Sequence, residues 1–160
     1  MACQVRLAQQ TDAPQVVALV DELLREIMQR SEMPAFALDS HQSRQQLTRW
    51  LAEGSYTVLL AEEADQAVGC LTMEHGRALY AQGRCATVRE FYVAPHRRSQ
   101  GVGKQLMERA IRRAASQGLR RLELTTPPIP AFERSVGFYQ KHGFEITGGY
   151  KMKRIIEPWP

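Results

Sequence analysis

Residues 87–125 constrain the fold more than any other part of the chain. The segment 87–93 (TVREFYV) has the β-branched and aromatic composition of a strand, and Pro95 stops it. Residues 101–117 follow with helical periodicity: Leu106, Met107, Ala110, Ile111 and Ala114 fall inward, and Arg109, Arg112 and Arg113 outward. Gly118 is suited to close that helix, and 119–125 (LRRLELT) is again a strand. A strand, one helix and a strand in direct succession demand two parallel strands joined by a right-handed crossover.

The flanking segments extend this unit into a mixed sheet. Residues 3–8 read as a first strand. Thr11 or Asp12 caps the next helix, with Pro14 in its first turn, where a missing N–H costs nothing. Val16, Val20, Leu23, Leu24 and Ile27 share one face of that helix, with Glu22 and Glu26 outside it. Residues 40–51 form a second helix, and 30–39, with Met33-Pro34 and Phe36, a loop or broken helix. Segments 56–61 and 67–75 are strands divided by a polar turn, the start of an antiparallel meander. A last helix spans 131–141 and ends at Gly143, and 144–156 offers one or two final strands. The expectation is a single α/β (α+β) domain over residues 1–160, with about six to seven strands and about four helices.

Composition bounds the function classes. With 160 residues and 44% hydrophobic content, the chain has one ordinary core and is not disordered. Its longest apolar runs, such as 56–61, fall far short of the roughly 20 residues that span a bilayer, and no apolar leader follows a basic start. Cys3, Cys70 and Cys85 are widely spaced and form no CxxC pair, so neither a disulfide framework nor a metal site is indicated, and a cytoplasmic location is expected. The net charge of +4 conceals an asymmetry: residues 97–121 hold eight basic side chains and one acid, which makes +7 there and −3 elsewhere. A basic patch on a near-neutral body suits one anionic ligand, or else a solvated helix face. Nucleic acid is not expected, because interleaved aromatics and helix-turn-helix or RNA-recognition signatures are missing.

The densest chemistry lies where the strand at 87–93 turns into the helix: Val93-Ala94-Pro95-His96-Arg97-Arg98-Ser99-Gln100-Gly101-Val102-Gly103-Lys104. Glycines admit close backbone approach to a phosphate, helix-start N–H groups point at it, and the helix dipole and basic side chains add positive charge. A Walker loop is excluded, since position 98 is Arg98 and Lys104 precedes Gln105. A dinucleotide fingerprint is excluded because Leu106 stands where its third glycine belongs. Taken as a bare pattern, the segment also serves an ordinary strand-to-helix turn.

Here the chain resembles the GNAT superfamily of acyl-CoA-dependent N-acetyltransferases. Arg98-Ser99-Gln100-Gly101-Val102-Gly103 matches the family's pyrophosphate loop, [QR]xxGx[GA], at every specified position. Phe138-Tyr139-Gln140-Lys141-His142-Gly143-Phe144 resembles its FYxKxGF block, and the opening Val5-Arg6-Leu7-Ala8 before a capped helix is similar to the family's start. The resemblance implies acetyl-CoA as cofactor. Residues Phe91, Tyr92 and Val93 would lie on a strand that splays from its parallel neighbour. The Phe91 N–H would meet the acetyl carbonyl, Val93 would pair with pantetheine, and the loop from Arg98 to Lys104 would hold the pyrophosphate.

The same resemblance makes Tyr139 the acid that protonates the departing thiolate; apart from the motif, an aromatic beside Phe138 reads as core. Glu90, an ionisable residue in an apolar strand, is the candidate base, or else it pairs with a basic side chain on a neighbouring strand. Strand alternation sends Arg89 to the opposite face from Glu90. His75 and His142 are lesser alternatives for the base. Where many members carry an asparagine, this chain has Phe132 after a proline-rich connection, and Ser135 is the candidate replacement for those cofactor contacts. The acceptor pocket would come from 27–50 and 144–152, where Glu32 and Asp39 are possible amine binders. A small-molecule amine is the expected acceptor, with a protein N-terminus or lysine as the alternative. A non-catalytic acyl-CoA sensor is the competing class, and a homodimer is expected from the open sheet edges.

Overall fold

The computed structural model describes residues 2–31 and 38–158. Five strands, β1 (Gln4–Leu7), β2 (Tyr56–Glu63), β3 (Gln66–Ala78), β4 (Gly83–Val93) and β5 (Arg121–Leu124), form one sheet in sequence order. Four helices flank it: α1 (Ala13–Ser31), α2 (Ser40–Glu53), α3 (Val102–Ser116) and α4 (Glu133–Lys141). Strands β1 to β4 pair antiparallel, and β4 pairs parallel with β5 across α3. The mixed α/β class and the crossover are as expected from the sequence. The strand count is lower: residues 144–158 form no strand, and Ile146, Tyr150, Met152, Ile155 and Ile156 are exposed.

Both sheet faces are covered, which is why β2 reads as an unbroken apolar run. Leu59 and Ala61 face α3 together with Leu71, Met73, Ala86 and Val88, while Val58 and Leu60 face α1 and α2 together with Cys70 and Tyr92. Helix α3 buries Leu106, Met107, Ala110 and Ala114 as its periodicity predicts, but Ile111 is exposed. Gly118, at φ +69°, closes α3: its N–H bonds Ala115 O at 3.0 Å and the Leu119 N–H bonds Ala114 O at 3.0 Å, a Schellman pair. Asp39 caps α2 by accepting the Gln42 N–H at 2.9 Å on Oδ1. Glu32, Met33 and Phe36 lie outside the described residues.

Asp12 has a different role from the simple cap expected. It sits in a short 3-10 turn ahead of α1, accepts the Gln9 N–H at 2.7 Å, and takes Arg6 bidentately at 2.8 and 2.9 Å. Arg6 also reaches Glu62, tying β1, β2 and the start of α1 together.

One irregularity in the β3–β4 ladder shapes everything at the upper end of the sheet. Leu71 pairs with Phe91 and Met73 with Val88, so Thr72 alone opposes both Arg89 and Glu90. This is a β-bulge in β4. Pairing of β4 with β5 ends at Val88 and Leu124, just before it.

Two consequences are open to test. The Arg6 guanidinium beside Asp12 holds that carboxyl below its usual range. A depressed carboxylate stabilises the fold above its unfolded titration range and loses that contribution as pH falls through its folded value. Asp12→Asn is therefore expected to lower Tm at pH 7, with the gap to wild type closing in acid, measured by thermal unfolding across pH. A Cβ on Gly69 would lie 2.9 Å from the Tyr92 carbonyl oxygen, which is backbone and has no room to move. Gly69→Ala is expected to cost about 1–3 kcal/mol in denaturant unfolding.

Candidate active site

Beside the bulge a gap opens between β4 and β5. The Ala94 N–H bonds Val68 O on β3 at 2.8 Å. By alternation of the ladder, Tyr92 also faces β3, and Phe91 and Val93 turn their N–H and C=O groups toward the side where β5 has ended. The Val93 carbonyl is met there by a side chain, Arg98 Nε at 2.8 Å.

The turn that follows runs through a 3-10 segment, Pro95–Arg97, into α3. Its two glycines serve different ends. Gly101 adopts φ +82° at the N-cap of α3, with open space around the position of a Cβ, so backbone conformation alone requires it. Gly103 sits against Phe91 and Val93, and a Cβ there would be 3.4 Å from the Phe91 ring. The first intrahelical bond is Gln105 N–H to Gly101 O at 3.0 Å, so the N–H groups of Val102, Gly103 and Lys104 precede the ladder and point outward at the helix start. That is the geometry of an anion cradle.

The basic side chains of this turn are largely committed elsewhere. Arg98 grips Glu26 of α1 at 2.7 and 3.0 Å and lies over the Tyr92 ring at 5.4 Å, while Arg97 pairs with Glu63 at 2.9 Å. Among the described residues Lys104 pairs with Glu108, at 3.9 Å, and it stays exposed. Ser99, at φ +59°, and Gln100 are exposed, and the Gln100 amide bonds His96 O at 2.9 Å. Ser135 is half-buried in the first turns of α4.

Below the gap, Tyr139 of α4 places its ring 6.2 Å from Phe91 and 5.9 Å from Phe144, with Phe138 5.5 Å from Phe91. Burial pushes its phenol up to about 12, so the group stays protonated at neutral pH. Above the gap, on the α1 and α2 face, Glu90 is half-buried. Its carboxylate accepts the Tyr56 hydroxyl at 2.6 Å and the Thr72 hydroxyl, and its N–H donates to Thr72 Oγ1 at 2.9 Å. Its partners are hydroxyl donors, not a cation from a neighbouring strand. Arg89 departs from strand alternation because of the bulge: it bonds Glu74, two residues along β3 from Thr72, at 2.5 Å, on the same face as Glu90.

Neither histidine joins this arrangement. His75 Nε2 lies 2.6 Å from the Thr57 hydroxyl, with its basicity lowered by burial and then by Arg84 and Arg113; His142 stacks on Phe138 at 4.4 Å. Phe132, where the family pattern has asparagine, is buried under Arg30, whose guanidinium carbon is 4.0 Å from the ring centre. Sequence reasoning missed Tyr56, Thr72, Glu22 and Glu26. Only the isolated Thr72 hydroxyl in an apolar strand could have flagged this set, and its partner depends on the bulged register. Among the described residues, no group of three or more His, Cys, Asp or Glu is placed to hold a metal, and no helix is long and apolar enough to cross a membrane.

Comparison with known proteins agrees with this geometry. The model of the acetyltransferase (GNAT) family matches residues 21–144. A peptidyl-lysine N-acetyltransferase of Salmonella typhimurium is 32% identical over 113 residues, covering 69% of this chain and 64% of that protein's length. An integron cassette protein from the mobile metagenome of Cole Harbour Salt Marsh superposes with TM-score 0.79 at 24% identity, covering 97% of this chain and 91% of that one. A predicted acetyltransferase of Clostridium acetobutylicum, solved with acetyl-CoA, superposes with TM-score 0.74 at 16% identity over 96% of both chains. With the family model spanning the bulged strand, the glycine turn and the aromatic helix alike, the chain belongs to the GNAT acetyltransferase family.

Proposed function

We propose that the chain transfers an acetyl group from acetyl-CoA to a primary amine by direct attack within a ternary complex. The observation that carries this reading is the gap beside Phe91 and Val93, flanked by Tyr139 on one face of the sheet and Glu90 on the other. The thioester lies in the gap, with pantetheine at the Val93 N–H, since Arg98 already holds the Val93 carbonyl, and the pyrophosphate on the N–H groups at the start of α3. There the helix dipole and Lys104 supply the positive charge. In this reading Arg98 is a strut between α1 and β4 as well as a member of the loop.

The chemistry follows from the placement. The amine nitrogen attacks the thioester carbonyl carbon as its proton passes to the Glu90 carboxylate. Negative charge gathers on the carbonyl oxygen, where the Phe91 N–H receives it. The C–S bond then breaks, and the departing CoA thiolate takes a proton from the Tyr139 hydroxyl. Base and acid stand on opposite faces, so each meets its own partner: acceptor from the α1 and α2 side, thiol from the α4 side.

A small-molecule amine is the acceptor we favour. Peptidyl lysine is the second reading, and the name of the Salmonella relative favours it. Cys3, Cys70 and Cys85 are free thiols, which fits a reducing compartment such as the cytoplasm. The edge strands β1 and β5 are where a homodimer would pair.

Acetyl-CoA at about 100 times its Kd is expected to add roughly 2.7 kcal/mol of stability, a rise of several degrees in Tm. No shift would overturn the cofactor assignment. Thiol release across a panel of small amines and lysine peptides then assigns the acceptor, and binding without turnover on any of them would favour a sensor. Tyr139→Phe is expected to lower kcat by about 10²-fold or more while the acetyl-CoA shift in Tm persists.

A further inference from the structure

The Glu90 carboxylate does not choose its own orientation. Tyr56, the first residue of β2, donates to Oε2 at 2.6 Å, and the Thr72 hydroxyl donates to the same oxygen. The Tyr56 and Thr72 oxygens are 3.2 Å apart, and Thr72 Oγ1 also accepts the Glu90 N–H at 2.9 Å. One threonine therefore holds both the backbone and the side chain of the bulged residue. Thr72 is only 1% exposed, so water has no room to take its place. The Trp50 ring of α2 covers Tyr56 at 5.2 Å between centroids, tilted by 46°, and keeps the phenol in position. Among the described residues, no hydrogen bond reaches Glu90 Oε1.

The ionisable groups packed around this carboxylate are Tyr56, Cys70, Arg89 and Glu22. Burial raises the Tyr56 phenol, and Glu90 raises it further; the Cys70 thiol on β3 is raised by the same two causes. Both stay protonated, which makes Tyr56 a standing donor. Arg89, next along β4, is held by Glu74, and α1 brings Glu22, engaged by the Tyr92 hydroxyl at 3.0 Å.

We propose that Tyr56 is a positioning residue for acetyl transfer, fixing Oε2 of Glu90 so that Oε1 is free to take the proton of the acceptor amine. This rests on the reading of Glu90 as the base. It explains why both donors converge on a single oxygen: a carboxylate held by one oxygen keeps the other's lone pairs available, whereas donors shared between the two would occupy both. It also gives the bulge a second use, because only the two-against-one register brings Glu90 opposite Thr72 and within reach of Tyr56.

Steady-state thiol release by the full chain tests it with Tyr56→Phe, Glu90→Gln and the double variant, each across pH. In Tyr56→Phe, kcat is expected to fall about tenfold or more, as loss of one hydrogen bond to a charged group implies, with KM for acetyl-CoA unchanged. The double variant is expected to be no slower than Glu90→Gln alone, since Tyr56 acts only through Glu90. Losses that multiply in the double variant overturn the proposal, as does wild-type kcat in Tyr56→Phe beside an impaired Glu90→Gln; in both cases the base reading survives. Wild-type turnover in Glu90→Gln overturns the base reading itself. Should Tyr56→Phe not fold, Thr72→Ala removes the other donor to the same oxygen, with the same pattern expected and the same results overturning it.

Discussion

The extra residue in β4 is the constraint on which the site depends. Beyond Val88 no strand of the sheet pairs with the outer edge of β4, because β5 ends at Leu124 and Pro127-Pro128 follow, and the backbone of Phe91 and Val93 is not consumed in a ladder with β5. The bulge at Arg89 and Glu90 follows directly on the last paired residues, Val88 and Leu124, and sets the register of the unpaired stretch beyond them. Such an irregularity leaves a backbone amide without a ladder partner, and a buried Thr72 hydroxyl accepts it at 2.9 Å. The local defect is therefore satisfied by its own neighbour, and the opening beside it is a stable feature of the sheet.

The turn after β4 divides its labour between backbone and side chains in a way that formal charge does not reveal. Arg97 and Arg98 look like phosphate ligands in the sequence, yet Glu63 and Glu26 take them, and both pairs span elements far apart in the chain. What remains at the start of α3 is a set of unpaired N–H groups, a helix dipole and one exposed lysine. Backbone donors are fixed by the fold and lose no side-chain entropy when an anion arrives, so a cradle built this way is preorganised. Glycine is needed for that at Gly101, where φ is +82°, while Gly103 lies in close contact with Phe91.

The crossover, the helix faces and the glycine turn were legible in the sequence because each rests on local periodicity or local conformation. Gly118 is the clearest case: a glycine after the last apolar repeat, with the Schellman bonds in place. What was not legible depends on register. Alternation counted along 87–93 places Arg89 and Glu90 on opposite faces, and a single bulge puts them on the same one. Tyr56 is separated from Glu90 by two strands of sequence, and no spacing rule connects a residue at the head of β2 with one late in β4. The final strands expected over 144–156 are a different kind of miss. The alternation of Tyr150 and Met152 with lysines has the period of a strand, but period alone supplies no neighbour to pair with.

Sheet alternation after the bulge also sends the two titratable groups beside the gap to opposite faces of the sheet. Phe91 turns its ring toward α3 and α4, where Tyr139 is buried among aromatic rings and its phenol is held protonated. Glu90 turns the other way, into hydroxyl donors that suit a charged carboxylate. The aromatic shell penalises the phenolate, so burial alone keeps the Tyr139 hydroxyl protonated. Placed on the same face, a carboxylate and a phenol would hydrogen-bond to each other, as Tyr56 and Glu90 do. The sheet itself keeps the Tyr139 phenol and the Glu90 carboxylate from pairing, and each keeps the neighbours of its own face.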